Sequence, residues 1–394
     1  MPSPLAQPTE PSGPDLARQF RETRRQMQAL VEQLSDADAT IQSMEDASPA
    51  KWHLAHTTWF WETFLLRDFA PDYSLYNQQY PFLFNSYYEA EGDRIARFSR
   101  GMLSRPSLQE IIGWRRHVDA AMEPLLEGML KRDDLTDLVA LGIAHEQQHI
   151  ELLLTDIKHA LFQNPLGPAM CDGSPAAAQT PQAGWYDHPG GIAMVGHDAD
   201  QAGAGFAFDC EGPRHRVLLE PFALSRSLVT NAQWDEFVAD GGYQTASLWL
   251  SDGWSWVRDH GVTAPLYWHD QAGRAEHFTH QGWQPRDPHA PVTHISYYEA
   301  DAFATWASAR LPSEFEWEAI ASAQGADGTA AAHNPQSGNQ LDGAEPPQPI
   351  SSSALFGDCW QFTRSAYLPY PRFAPAGGAV GCLLYTSPSP RDKI

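Results

Sequence analysis

Two histidines one helical turn apart, His145 and His149, are the residues whose spacing most directly suggests chemistry. They bound the stretch HEQQH, which matches the zinc-protease pattern H-E-x-x-H. On a helix they share one stripe with Leu138, Leu141, Gln148 and Leu152. Two imidazoles on such a stripe can bind one metal ion. The alternative is a pair of core histidines that only make hydrogen bonds.

A second histidine segment, KWHLAHTTWFWETFLL at 51–66, offers a third ligand. Helical spacing puts His56 on one face with Trp52, Trp59, Thr63 and Leu66, so we expect it to point inward. His53 is the competing candidate, interpreted as a residue at the helix surface or behind a ligand. Three imidazoles from two helices leave positions open for substrate and oxygen. They suit zinc, copper, iron or nickel.

The peptidase interpretation depends on Glu146, the residue that acts as the base in H-E-x-x-H enzymes. One position along a helix is about 100° around its axis, so Glu146 lies off the stripe that carries His145. The best third ligand also lies upstream, whereas those peptidases take theirs from downstream. The pattern therefore disfavours a zinc peptidase.

Four amphipathic segments can position these histidines. We predict helices from Asp15 to about Leu34, from Pro49 to Phe69 with Ser48 as N-cap, from Ser107 onward, and from Asp134 to Phe162. Residues 70–104 form a long aromatic connection, which is usually functional at this length. Four helices with one long connection predict a four-helix bundle.

The second half of the chain has a different composition. A Gly/Pro/Ala-rich linker at 164–183 precedes short strand-like runs at 216–219 and 222–225 and helices near Asn231–Ala239 and Tyr297–Ala309. This pattern predicts an α+β domain that is low in regular structure. Residues 1–13 are predicted to be a disordered tail, and residues 324–350 a flexible insertion.

Composition limits the partners. A formal charge of −23 over 394 residues argues against nucleic acid or anionic membrane, because both require a basic surface. There is no signal-peptide pattern, and no apolar run approaches the roughly 20 residues that span a bilayer. Four scattered cysteines are typical of a reduced protein. We therefore expect the cytoplasm as the compartment and no nucleic-acid or membrane partner, and we take a monomer as the default oligomeric state.

Taken together, the motifs resemble the ergothioneine-biosynthesis sulfoxide synthases. HLAHT and HEQQHIE resemble their three-histidine iron site in a DinB-like bundle, here residues 14–163. Residues 184–381 resemble their formylglycine-generating-enzyme-like (sulfatase-modifying-factor) domain of C-type-lectin-like fold. The matching stretches are CEGPRHRVLLEPFALSRSLVTNAQWDEFV, PVTHISYYEADAFATWASARLPSEFEWE and FGDCWQFTRSAYLPYPRF.

The resemblance implies an oxygen-dependent reaction at a non-haem Fe(II) held by His56, His145 and His149. In it, the imidazole C2 of hercynine (N-α-trimethylhistidine) is joined to the sulfur of cysteine or γ-glutamylcysteine, and the product is a sulfoxide. Three neutral ligands would leave the iron its full charge, which favours binding of a thiolate and dioxygen. The alternatives are an ovothiol-type synthase acting on histidine and a non-catalytic, metal-stabilised lectin-like binding protein.

The resemblance also implies roles near the metal. FLFNSYYEAEG resembles the family's version of the loop with a proton-donating tyrosine, so Tyr87 or Tyr88 would divert the reaction from plain thiol oxidation. Packing of both rings is the alternative. Gln148 resembles a glutamine that contacts hercynine. The guanidinium groups that could bind the carboxylate of the thiol substrate, unless they are simply solvated, belong to Arg94, Arg97 and Arg100.

In the second domain, aromatic faces could bind the quaternary ammonium of hercynine. The candidates by motif are Trp360, Tyr367 and Tyr370, with core packing as the alternative. In RLPSEFEWE, we interpret Arg310, Glu314, Trp317 and Glu318 as structural.

The last 13 residues, CLLYTSPSPRDKI, resemble a translated sequencing adapter rather than a continuation of the family pattern. We therefore expect the natural chain to be interrupted at about Gly381, and we exclude Cys382 from functional argument. The family's R-G-G-S and G-[LFV]-R strands would then be missing. On this expectation the chain as printed would be poorly soluble and nearly inactive.

Overall fold

The structure is a computed structural model that describes residues 13–86, 88, 91–128, 133–174, 176–199, 205–271, 273–323, 341 and 355–375. These residues divide into two compact units. The first contains the described residues up to Met170, together with His197–Pro213 and 370–375. The second contains Cys171–Gly196 and Arg214–Pro369. The domain boundaries drawn from the sequence stay predictions, and the predicted adapter-derived tail lies outside the described residues.

The first unit contains a bundle of four long helices. In chain order its helices are α1 (Gly13–Val31), α2 (Ala50–Phe60), α3 (Arg67–Phe69), α4 (Tyr80–Phe84), α5 (Leu108–Gly128) and α6 (Asp133–Phe162). Helix α6 packs against α1 and α2, and α5 packs against the same two helices. The predicted bundle is therefore present, and α1 begins at Gly13, inside the predicted tail.

The apolar stripe of α1 is buried as its spacing predicts, including Phe20 and Met27. Ser107 begins α5 with a capping box: its hydroxyl accepts from Glu110 N at 3.3 Å, and its own amide donates to Glu110 Oε2 at 2.7 Å. The predicted cap of α2 is wrong by one residue. Pro49 is its N-cap, and the Ser48 amide instead donates to Asp156 Oδ2 at 2.8 Å.

Helix α2 is buried around its whole circumference. The short α4 lies against it, and Trp52 Nε1 donates to Leu83 O at 3.2 Å. After Phe60 the helix widens into a π-helical turn, Trp61–Leu66. Such turns are frequent at functional sites. The predicted long connection therefore folds back as a cover over the histidine-bearing helix.

The second unit is α+β with short strands. Antiparallel pairs form between β1 (Trp185–His188) and β4 (Phe222–Ser225) and between β2 (Gly191–Val195) and β3 (His215–Leu219). A meander joins β5 (Trp268–Gln271), β6 (Arg274–Thr279) and β7 (Gly282–Pro285). The helices are α7 (Asn231–Ala239), α8 (Ser251–His260), α9 (Tyr297–Trp306) and α10 (Glu314–Ala323).

Aromatic packing fills the core of this unit. Trp234 on α7 stacks on Phe303 of α9 with ring centroids 4.9 Å apart, and Tyr243 donates its hydroxyl hydrogen to Glu299 at 2.6 Å. Three of the RLPSEFEWE residues that were predicted to be structural, Arg310, Trp317 and Glu318, make hydrogen bonds within this unit. Arg310 bonds both carboxylate oxygens of Glu316, and further bonds join Trp317 to Gln361 and Glu318 to Gly196.

Three cysteines lie in the described part of the chain, Cys171, Cys210 and Cys359, and none of the three forms a disulfide there. None of the described helices combines the length and apolar character needed to cross a bilayer. The cytoplasmic location and the monomeric state stay predictions.

A close helix contact gives a stability prediction. A Cβ at Gly142 on α6 would lie 2.6–2.9 Å from ring atoms of Trp61, which is 1% exposed. Alanine favours a helix by about 1 kcal/mol, but overpacking costs about 1–3 kcal/mol. We therefore expect Gly142→Ala to lower the free energy of unfolding in denaturant titrations. The matched control is Gly113→Ala on α5, where a Cβ meets no atom within 4 Å, and it should be stabilising.

Candidate metal centre

Helices α2 and α6 bring three histidines together in the bundle. His56 comes from α2, and His145 and His149 come from α6. One candidate ligand atom from each lies within 4.8 Å of the others. The residues are 1%, 1% and 9% exposed. The predicted set therefore converges as the helical spacing requires.

The ring of His56 is fixed in orientation and in tautomer. Its Nδ1 lies 2.6 Å from the carbonyl oxygen of Phe84, and because a carbonyl only accepts, Nδ1 carries the hydrogen. Its Nε2 therefore keeps a lone pair. The imidazole stacks between two indoles, with centroid distances of 4.7 Å to Trp52 and 5.4 Å to Trp59.

The other two histidines have different surroundings. His149 Nδ1 lies 2.9 Å from His53 Nδ1. His145 packs on Phe60 with ring centroids 4.6 Å apart, and its Nδ1 is buried without a hydrogen-bond partner among the described residues. An unpaired buried nitrogen is costly unless a ligand satisfies the site. Three convergent imidazoles with such an atom fit a divalent transition metal.

Burial sets the protonation of the cluster. It lowers the pKa of His145 to about 4. Burial, and then the neighbouring ring of His145 or His56, holds the pKa of His56 and of His149 well below 6.5. All three imidazoles are therefore neutral at pH 7, which is the form that binds metal.

Glu146 faces away from the cluster. Its carboxylate accepts from Arg115 Nη2, from Arg24 Nη1 at 3.0 Å and from Trp61 Nε1 at 2.8 Å. Burial opposes its ionisation, but the two guanidinium groups outweigh burial and lower its pKa to about 2. A fully buried carboxylate held by three donors cannot act as a peptidase base. It instead ties α6 to α1 and α5.

Tyr88 lies beside the histidines. Its ring centroid is 6.4 Å from those of both His56 and His145, and it also packs against Trp59 and Phe64. The hydroxyl is buried without a partner within the described parts of the chain. Burial raises the pKa of the phenol well above 10, so it keeps its proton. Tyr87, the other predicted donor, lies outside the described residues.

The predicted substrate residues of the bundle differ in exposure. Arg94 is exposed, whereas Arg97 and Gln148 are partly buried. Arg100 is buried, donates to Ser48 Oγ at 2.9 Å and Ser86 Oγ at 3.1 Å, and stacks 3.4 Å from the ring centroid of Trp52. Its contacts hold the connection against α2. The substrate roles of all four residues stay predictions.

The predicted aromatic residues of the second half are more open. Trp360 is 89% exposed, so it is not a core residue, and Tyr367 is half-exposed. Tyr370 is partly buried and groups with the first unit. Their cation–π role stays a prediction.

Of the two positions predicted for His53, the helix surface is wrong, because the residue is 2% exposed. It lies behind the candidate ligand His149 and also contacts Asp156, with Nε2 3.0 Å from Oδ2. The sequence signal that could have shown its burial is the composition of α2, AKWHLAHTTWF, which has no polar face for solvent.

Comparison with known families agrees with this architecture. Residues 19–153 match the DinB superfamily, and residues 176–371 match the sulfatase-modifying factor enzyme 1-like domain. The fold and site thus define a histidine-bearing DinB-like bundle joined to a sulfatase-modifying-factor domain, which confirms the predicted fold class.

Similar proteins match the chain over both of these domains. The chain is 32% identical to the hercynine oxygenase of Mycolicibacterium smegmatis over 91% of its own length and 85% of the relative's. It is 31% identical to that of Mycolicibacterium thermoresistibile, covering 93% and 82%. A formylglycine-generating enzyme from Thermomonospora curvata is 36% identical over 34% of this chain and 46% of its own. The chain belongs to the hercynine oxygenase family, so the resemblance seen in the sequence is confirmed.

Proposed function

We propose that this protein is a non-haem Fe(II), oxygen-dependent sulfoxide synthase. It joins the imidazole C2 of hercynine to the sulfur of cysteine or γ-glutamylcysteine. The observation that carries the proposal is the buried cluster of His56, His145 and His149, whose candidate ligand atoms lie within 4.8 Å of one another. The similarity to hercynine oxygenases along 91% of the chain supports it.

The reaction balances without another oxidant. A C2–H bond and an S–H bond are lost, a C2–S bond forms, and one atom of O2 becomes the sulfoxide oxygen. The other oxygen atom leaves as water with both hydrogens, so the two substrates lose four electrons and O2 gains them. Iron, when bound by the three histidines, supplies the one-electron chemistry that lets O2 react.

The residues around the cluster have separate tasks. The neutral imidazoles present lone pairs, and the aromatic rings around them exclude bulk water. Tyr88 keeps its proton at neutral pH and holds it on a hydroxyl buried beside the cluster. We assign it the donation of that proton during C–S bond formation. Tyr87, which was the alternative donor, keeps the same proposed role if Tyr88 proves inert.

Different residues are also assigned to different parts of the two substrates. Gln148 precedes the ligand His149 on α6, and we assign it a contact with hercynine. We assign binding of the carboxylate of the thiol substrate to Arg94 and Arg97, because guanidinium groups can bind a carboxylate through two hydrogen bonds. We assign the same role to Arg100 only secondarily, because two serines already accept from its guanidinium. For the trimethylammonium group we propose the aromatic faces of Trp360, Tyr367 and Tyr370.

A product assay tests the function. The assay uses the full gene product. With Fe(II), O2 and either thiol, we expect a hercynine sulfoxide by mass spectrometry. Product from histidine but not from hercynine would instead establish the ovothiol-type alternative. If the iron-loaded protein forms no product from either substrate, it is not a synthase.

Tyr88→Phe tests the proton donor. Loss of a positioned general acid typically costs about 10²–10⁴-fold, so sulfoxide formation should slow by at least about 10²-fold. Oxidation of the thiol alone should continue, and the ratio of sulfinic acid to sulfoxide should rise. Tyr80→Phe is the matched control, since Tyr80 is equally buried but packs on Trp114 instead. An unchanged product ratio in Tyr88→Phe would move the role to Tyr87.

A further inference from the structure

A series of polar contacts lies behind His149, on the side away from the three-histidine cluster. His149 Nδ1 lies 2.9 Å from His53 Nδ1, and His53 Nε2 lies 3.0 Å from Asp156 Oδ2. The same carboxylate oxygen accepts from the amide of Ser48 at 2.8 Å. All of these residues are at most 9% exposed. The contacts therefore form in a site from which water is largely excluded.

One arrangement of hydrogens satisfies every contact. The carboxylate of Asp156 can only accept, so His53 carries a hydrogen on Nε2. In a neutral imidazole that carries its hydrogen on Nε2, the other ring nitrogen, Nδ1, is an acceptor. Two imidazole nitrogens at 2.9 Å require a hydrogen between them, and it must then belong to His149 Nδ1. This leaves the lone pair of His149 on Nε2.

We infer that His53 and Asp156 are positioning residues that hold His149 in its Nδ1–H tautomer and aim its Nε2 at the metal. The inference rests on the proposed metal site and adds to it the part of the protein that prepares one ligand. Partners of this kind fix the ring of a metal-binding histidine and strengthen it as a donor. Here the partner is itself a histidine, with a carboxylate behind it.

The relay of His149, His53 and Asp156 joins two separate pieces of the chain. His53 belongs to α2, with Ser48 just before that helix, and His149 and Asp156 are two turns apart on α6. Arg100 adds a third piece through its bond to Ser48 Oγ at 2.9 Å. The orientation of His149 therefore depends on how α2 docks on α6. His56 needs no such relay, because a backbone carbonyl already fixes its ring.

The test compares metal affinities. Loss of a residue that hydrogen-bonds to a metal ligand typically weakens metal binding about 10–100-fold. We expect a loss of this size for His53→Leu in titrations with Fe(II) or Co(II). His53→Gln should recover most of the affinity, because its amide can donate to Asp156 and accept from His149. His159→Leu is the matched control on α6, since His159 bonds Ser43 rather than a ligand. The Co(II) absorption spectrum should change only in His53→Leu.

Two further measurements separate the possible failures. Unfolding of each metal-free variant shows whether lost affinity reflects lost folding, and Asp156→Asn, which keeps the side-chain shape, provides a second variant with an expected loss of about 10-fold. Nitrogen NMR of the metal-free protein should find His149 protonated at Nδ1. Equal affinities in His53→Leu and the unsubstituted protein, or a His149 protonated at Nε2, would overturn the relay. An unsubstituted protein that binds no metal would overturn the proposed function, while the NMR result would still decide the relay.

Discussion

His56→Ala should nearly abolish both metal binding and sulfoxide formation. Loss of a residue that only hydrogen-bonds to a metal ligand lowers the affinity for the metal about 10–100-fold. Removal of a ligand itself should therefore lower that affinity at least about 100-fold. We expect the rate of sulfoxide formation to fall by about 10³-fold or more, which corresponds to about 4 kcal/mol in the activation barrier. Iron content after gel filtration and product formation by mass spectrometry measure the two effects.

The choice of His56 makes this prediction specific to a ligand set that spans α2 and α6. A peptidase-like site would keep its two α6 histidines and take the third ligand from downstream, so it would lose little. His117→Ala is the control, because His117 is an exposed histidine on α5. A His56→Ala protein that retains stoichiometric iron and full activity would refute the three-histidine site.

Glu146→Gln should have the largest effect on stability. The substitution preserves the shape of the side chain but leaves Arg24 and Arg115 buried, at 3% and 0% exposure, without the anion between them. Breaking a buried ion pair by removing one partner costs about 3–5 kcal/mol. We expect the free energy of unfolding of the bundle to fall by that amount in denaturant titrations followed by circular dichroism.

A matched substitution isolates the effect of burial. Glu123 on α5 pairs with Arg21 on α1 at 2.6 Å, so this pair joins two of the three helices that the Glu146 network connects, but both side chains are at least 40% exposed. Glu123→Gln should change stability by at most about 1 kcal/mol. Equal effects of the two substitutions would show that the Glu146 network contributes no more than an exposed pair.

The three-histidine cluster can be predicted from the sequence because helical spacing alone shows which way each side chain points. The i, i+4 relation places His145 and His149 on one stripe, and the apolar neighbours of His56 show which face of α2 turns inward. The DinB-like and sulfatase-modifying-factor motifs likewise occur in local, contiguous stretches. Each of these features is encoded within one element.

What the sequence does not reveal depends on distant contacts. Arg24 lies 122 residues from Glu146 and Asp156 lies 103 from His53, so no local pattern pairs them. The meander of β5, β6 and β7 was missed because its strands are four to six residues long and rich in polar side chains, as in WHDQ and RAEHFT. Their pairing, rather than an apolar alternation, makes them strands.

The origin of the sulfoxide oxygen tests the central claim most directly. The full gene product, loaded with Fe(II) and given hercynine and a thiol under ¹⁸O₂, should form a sulfoxide heavier by two mass units than that formed under ordinary oxygen. The zinc-loaded protein and the His56→Ala protein should form none. An unlabelled sulfoxide, or equal product from zinc-loaded and iron-loaded protein, would contradict an iron- and oxygen-dependent synthase.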